Sequence, residues 1–127
     1  MNLVDTSGWI EYFFAGPNAR HFTEPIENTA RLLVPTICLY EVFKKINVVG
    51  NEAQALQAVA QMREGLVLEL TEGIALSASL ISIKNKLPMA DSMIYASALA
   101  NDATIWTQDI DFKNFPGVKY IKARTKN

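Results

Sequence analysis

Residues 103–112 read ATIWTQDIDF, an apolar run through Ile105 and Trp106 that stops in two aspartates, Asp109 and Asp111. A turn toward solvent accounts for such an ending, because an aspartate side chain hydrogen-bonds its own backbone two residues on. The same event occurs near the start of the chain, where Leu3 and Val4 run into Asp5. Between these points strand-like and helix-like stretches alternate. RLLVP (31–35), GLVLEL (65–70), TIW (104–106) and VKYI (118–121) read as further short strands. TSGWIEYFF (6–14) has polar caps and then an aromatic face at Trp9, Tyr12 and Phe13. Thr36 is expected to cap ICLYEVFKKINVV (37–49), and Asn51 to cap EAQALQAVAQMRE (52–64), where Leu56, Val59 and Met62 recur at helical spacing. EGIALSASLISIKNKL (72–87) and MADSMIYASALAND (89–102), the latter opened by Pro88, complete the helices. Strands alternating with helices predict parallel pairing, right-handed crossovers and a three-layer α/β/α sandwich around a mainly parallel sheet.

Composition agrees with that class. The chain has 127 residues, half of them apolar, enough for one compact domain over residues 1–127. No apolar run approaches the roughly 20 residues that span a bilayer, and the first residues lack a basic segment followed by an apolar one. A lone Cys38 leaves no internal disulfide, so a soluble cytoplasmic protein with no membrane partner is expected. The 12 basic and 13 acidic residues give a formal charge of -1, without strong long-range attraction for nucleic acid. Lys119, Lys122, Arg124 and Lys126 nevertheless make the last stretch basic, which fits either a solvated tail or a grip on RNA.

In open parallel sheets ligands bind at the carboxyl ends of strands. Asp5, Asp109 and Asp111 stand at such ends, and two helical acids are in position to join them. Glu41 lies among Leu39, Val42 and Phe43; Asp91 lies in the first turn of a helix rich in Ala, Met, Ile and Leu. Each has an ordinary reading: Asp91 favours the positive end of its helix, worth about 0.3–1 kcal/mol, and Glu41 pairs with Lys44 or Lys45. If the acids instead share a pocket, two charges about 4 Å apart repel by roughly 4 kcal/mol at an effective dielectric near 20. Raised pKa values or hard divalent cations relieve that repulsion. No cluster of His and Cys points to zinc, and the single His21, in the polar stretch NARHFTEP, is expected to be exposed. Mg²⁺ or Mn²⁺ suits the donor set, and such ions promote phosphodiester hydrolysis.

At these residues the sequence resembles the PIN-domain nucleases and, within them, the VapC toxins of toxin-antitoxin pairs. LVDTSGWIEYF is similar to the family's opening strand with its Asp-x-Ser signature, VPTICLYEV to its second segment, LPMADSMIYASAL to its third, and WTQDIDF to its Thr-x-Asp-x-Asp-Phe ending. The resemblance runs over nearly the whole chain. It implies metal-coordinating and catalytic roles for Asp5, Glu41, Asp91 and Asp109, with Asp111 as a further ligand or an orienting group. Thr6, Ser7 and Thr107 are expected to hold carboxylates or waters in place, and Thr6 and Ser7 equally to cap the first helix. The implied reaction is Mg²⁺- or Mn²⁺-dependent endonucleolytic hydrolysis of single-stranded RNA, in the transfer or ribosomal class, leaving a 5′ phosphate and a 3′ hydroxyl. Lys44, Lys45, Lys84, Lys86 and Lys113 are candidates for phosphate contacts, or simply solvated surface. The resemblance also implies a homodimer, or a higher toxin-antitoxin assembly, held by a cognate VapB-like antitoxin. Trp9, Tyr12, Phe13 and Phe14 cannot all face inward from one helix; core packing is expected to take most of them and a leftover aromatic to mark the surface that receives an amphipathic antitoxin helix, with Trp9 and Phe14 as the residues that test it. Two other classes remain: a phosphotransfer receiver, which needs an aspartate and a lysine that GLVLEL and TIW do not supply where expected, and a PIN-like module that binds without cutting.

Overall fold

The computed structural model describes residues 1–125. Five strands, β1 (Asn2–Val4), β2 (Leu32–Pro35), β3 (Leu66–Leu68), β4 (Thr104–Thr107) and β5 (Val118–Tyr120), alternate with helices α1 (Thr6–Phe13), α2 (Ala19–Glu27), α3 (Thr36–Val49), α4 (Glu52–Met62), α5 (Glu72–Asn85) and α6 (Met89–Ala100). All neighbouring strands pair in parallel in the order β3-β2-β1-β4-β5. The architecture is the expected α/β/α sandwich. The central strands carry the apolar runs that two covered faces require: β2 is buried throughout, as are Leu3, Val4 and Ile105. The chain steps outward from β1 to β3 and then returns past β1 to β4. Right-handed crossovers therefore set α5 and α6 on the face opposite α1 to α4.

A main core joins these layers, with Trp9, Phe22, Ile26, Met62, Ile94 and Phe112 among its largest side chains, and a smaller cluster of Ile74, Ala78 and Ala96 lies between α5 and α6. At the start of α1 the packing is so close that a Cβ on Gly8 would lie 2.6 Å from Val4 Cγ1 and 2.7 Å from the Phe22 ring.

Four sequence-level expectations change here. Trp9 is 0% exposed and stacks on Phe13 with centroids 5.6 Å apart, so it belongs to the core and offers no docking surface. Phe14, just past the helix, is exposed. Thr36 is the first residue of α3, and Pro35 takes the cap position without a side-chain hydrogen bond, its fixed φ of -63° serving the strand end and the helix entry alike. On α4 the buried residues are Ala55, Ala58 and Met62, while Leu56 faces solvent. Small alanines let α4 approach α3 closely, and Leu56 stands 100° round the helix from Ala55. Finally, α2 covers the stretch read as polar: Phe22, Pro25 and Ile26 are buried at helical spacing, while His21 is exposed as expected.

Candidate active site

The sheet order reverses direction at β1 and β4, and the crevice at such a switch point lies beyond the carboxyl ends of those strands. Val4 pairs with Trp106, which brings Asp5 level with Thr107, and the Asp5 amide donates to the Trp106 carbonyl at 3.1 Å. Asp5 caps α1. Its Oδ1 accepts from the Gly8 amide at 3.1 Å and the Ser7 hydroxyl at 2.8 Å, and its Oδ2 accepts from Thr107 Oγ1 at 2.8 Å. Burial raises its pKa from 3.8 to about 6, against the lowering effect of these three donors, with a smaller upward push from Asp109.

Asp91 enters from the first turn of α6, and Asp109 and Asp111 from the segment after β4. One carboxylate oxygen from each lies within 4.8 Å of the others. Asp109 Oδ1 also accepts from the Asp111 amide at 2.9 Å, while the Asp109 amide donates to Thr107 Oγ1 at 2.9 Å. Thr107 thus joins the two strand-end acids. The pKa of Asp91 is raised to about 7, first by burial and then by the charges of Asp109, Asp5, Asp111 and Glu41. Glu41 stands outside the close trio, on α3, with Oε1 accepting from Thr6 Oγ1 at 2.6 Å.

The sequence-predicted acids thus form a close cluster, Asp91, Asp109 and Asp111, flanked by Asp5 and Glu41. Thr6 holds Glu41; Ser7 and Thr107 hold Asp5. Carboxylate oxygens gathered this closely around Asp91, whose pKa they help to raise, fit a hard divalent cation, which would replace protons as the neutralising charge. Cys38, buried beneath the site, has its thiol pushed far up by burial and then by Asp5, so it is no nucleophile.

Among the lysines, Lys44 and Lys45 line a cleft beside Glu41, whereas Lys113 lies over the Tyr120 ring and Lys86 forms the left-handed end of α5. In the basic tail Lys119 sits 4.4 Å from the Trp106 ring centroid, and Lys126 lies outside the described residues.

Sequence reasoning missed a polar brace under this edge. The Gln108 amide donates to Ser7 Oγ at 3.1 Å, and its side chain bonds Glu11 at 3.3 Å and Asn18 at 3.0 Å. Asn18, fully buried, also donates to the Lys122 carbonyl at 2.9 Å, which anchors the start of the tail. The signal for Gln108 is its place between Thr107 and Asp109; Asn18 carries none.

Fold and site together define a parallel α/β protein with a carboxylate pocket at its switch point. The chain belongs to the PIN domain family, whose model matches residues 3–118. No curated protein sequence matches it. Among solved structures, it is similar to a toxin-antitoxin complex from Klebsiella pneumoniae, with TM-score 0.76, 22% identity and coverage of 94% of this chain and 96% of that one. VapC20 from Mycobacterium tuberculosis, described as a Sarcin-Ricin loop cleaving toxin, gives TM-score 0.79 at 16% identity, covering 98% and 100%. DNA-bound VapBC from Salmonella typhimurium gives 0.73 at 18%, covering 95% and 98%. At these identities the likeness establishes the fold.

Proposed function

We propose that the protein is a VapC-type toxin, a Mg²⁺- or Mn²⁺-dependent endoribonuclease that cuts single-stranded regions of transfer or ribosomal RNA in the cytoplasm. The observation that carries this reading is the trio Asp91, Asp109 and Asp111, drawn together at the switch point of a PIN fold with Asp91 held near pKa 7. The solved relatives that cut RNA or occur with antitoxins support it.

Asp91, Asp109 and Asp111 would hold the cation, with Asp5 and Glu41 at its flank. Bound there, the ion supplies Lewis-acid stabilisation of the phosphoryl oxygens and a water nucleophile at neutral pH. The chain's own groups prepare the pocket. Ser7, Gly8 and Thr107 fix both oxygens of Asp5 while leaving lone pairs free, and Thr6 aims Glu41. Thr107 also fixes the backbone at Asp109, so β1 and β4 present their acids as one unit. With no cation, five carboxylates repel an RNA backbone, so metal serves substrate positioning as well as chemistry.

The same reading assigns two surfaces. A cognate VapB-like antitoxin docks on the groove lined by Phe13, Phe14, Ile46 and Ala58, without Trp9. A second copy of the chain covers α5, where Leu76, Leu80 and Ile83 form an exposed stripe.

The test is incubation of purified, antitoxin-free protein with total cellular RNA in Mg²⁺ or Mn²⁺, beside EDTA and Asp91→Ala controls, with sequencing of 5′-phosphate ends. Discrete cuts that EDTA abolishes and that Asp91→Ala lowers by about a thousandfold are expected, the scale of losing a group that stabilises transition-state charge. Absence of cuts together with absence of metal binding by calorimetry would return the acids to a structural role.

A further inference from the structure

Beside the acids, a cleft of about 580 Å³ opens between α1 and α3. Its size lies within the range of small-ligand pockets. Thr6 and Glu41 form the wall it shares with the acidic site; Ile10, Val48 and Tyr40 form its apolar part; Lys44 and Lys45 stand at its edge. Tyr40 is 59% exposed and immediately precedes Glu41 on α3, so its ring is presented to solvent one residue from the acidic site. Cys38, Val42 and Ile46 take the buried face of α3, and Tyr40 is left outside. The Lys44 ammonium lies over the Tyr40 ring, 5.8 Å from its centroid, which places a positive charge at one aromatic face.

We propose that this cleft is a nucleotide subsite: Tyr40 stacks an unpaired base of the RNA next to the scissile phosphate, and Lys44 and Lys45 bind that nucleotide's phosphate. The inference rests on the nuclease reading above and adds to it the element that selects the RNA conformation. Single-stranded RNA is recognised by splaying bases onto aromatic side chains, and only an unstacked base fits a pocket of this kind. Charge supports the same occupant. The acidic pocket repels phosphates, while the lysines one helical turn along α3 attract them, so the backbone is drawn across the boundary between the two. A paired strand has its bases enclosed and cannot use Tyr40, which gives the site a reason to prefer single-stranded segments.

The experiment uses the full chain with total cellular RNA carrying 4-thiouridine, cross-linked by ultraviolet light in Ca²⁺, followed by mass spectrometry of nucleotide-peptide adducts. An adduct on the peptide containing Tyr40 is expected, lost in Tyr40→Ala and retained in Tyr40→Phe. At the cut sites mapped in Mg²⁺ or Mn²⁺, Tyr40→Ala raises KM by about tenfold, more than it changes kcat, and Tyr40→Phe restores it. Adducts only elsewhere, or an unchanged KM in Tyr40→Ala, overturn the subsite and leave the nuclease standing. An adduct at Tyr40 without any metal-dependent cut removes the nuclease and overturns the subsite with it, leaving Tyr40 as an RNA contact with no scissile phosphate beside it. If Tyr40→Ala weakens a co-purifying protein partner while RNA cross-linking is unchanged, the cleft belongs to a protein segment and the proposal falls.

Discussion

A single aspartate and a trio of aspartates sit at the same edge of this sheet and are held in different ways. Asp5, where β1 enters α1, has three donors from its own chain, from Ser7, Gly8 and Thr107. Asp91, Asp109 and Asp111 face one another instead, with oxygens within 4.8 Å. Burial is the leading cause of the raised pKa in both Asp5 and Asp91, but like charges follow it for Asp91, whereas lowering hydrogen bonds follow it for Asp5. The difference teaches which acid the fold uses and which the fold merely carries. Asp5 is part of the architecture as well as of the site. Under the nuclease reading, the trio would take its neutralising charge from a bound cation.

Three experiments test that contrast, beginning with the region the fold depends on. Trp9→Ala, in the core beneath the Asp5 corner, should lower stability by about 3–5 kcal/mol in chemical denaturation, the usual loss for a buried aromatic. A change under 1 kcal/mol would mean the corner is not the anchor described. Asp5→Ala comes next. It leaves the Gly8 amide and two hydroxyls without their acceptor, a loss of about 1–3 kcal/mol, and it should also abolish cleavage. If Asp5→Ala kept full stability, the distinction between the two groups would disappear.

The third experiment is read by titration and sets Asp91 of the trio beside Asp5. The folded pKa values of Asp5 and Asp91, about 6 and about 7, lie above the ordinary 3.8, so the folded state binds protons more tightly than the unfolded one. Their contribution to metal-free stability is therefore fully present below about pH 4 and is lost as pH rises through 6 to 7. Mg²⁺ or Mn²⁺ at a hundredfold excess over Kd should restore about 2.7 kcal/mol at neutral pH, by linkage. Thermal melts from pH 4 to 8, with and without metal, check both statements, and Asp91→Asn should remove most of the pH slope and the metal response together. A flat profile would show that Asp5 and Asp91 do not hold their protons more tightly in the folded state.

Much of the molecule was legible before folding. Each strand that ends in an acid could be read because parallel strands buried on both faces are short continuous apolar runs, and a charge at their end stands out. α2 was not legible: Pro25 reads as a helix breaker and Arg20, His21 and Glu24 as loop, yet Phe22 and Ile26, four residues apart, were the sign of a buried face. Trp9 was misread as surface because an aromatic-rich helix does not say which ring turns inward. That was decided by Gly8, which lets α1 lie directly on Val4 and Phe22. Leu56 misled for a related reason: large residues were taken as buried, but the close approach of α4 to α3 selected alanines.

The sequence by itself determined the class of the fold, the placement of acids at strand ends and helix starts, and the choice of oxygen donors over sulfur or imidazole. These follow from local pattern and residue chemistry, which the chain carries whether folded or not. Only the tertiary structure decided that β4 lies beside β1, and therefore that residues a hundred positions apart share one hydrogen-bonded unit. It also decided which carboxylates are satisfied by the chain and which face each other, and it left Tyr40 outside next to the pocket. Distances between segments are set by strand order and packing, and nothing in a linear pattern fixes those before the core closes.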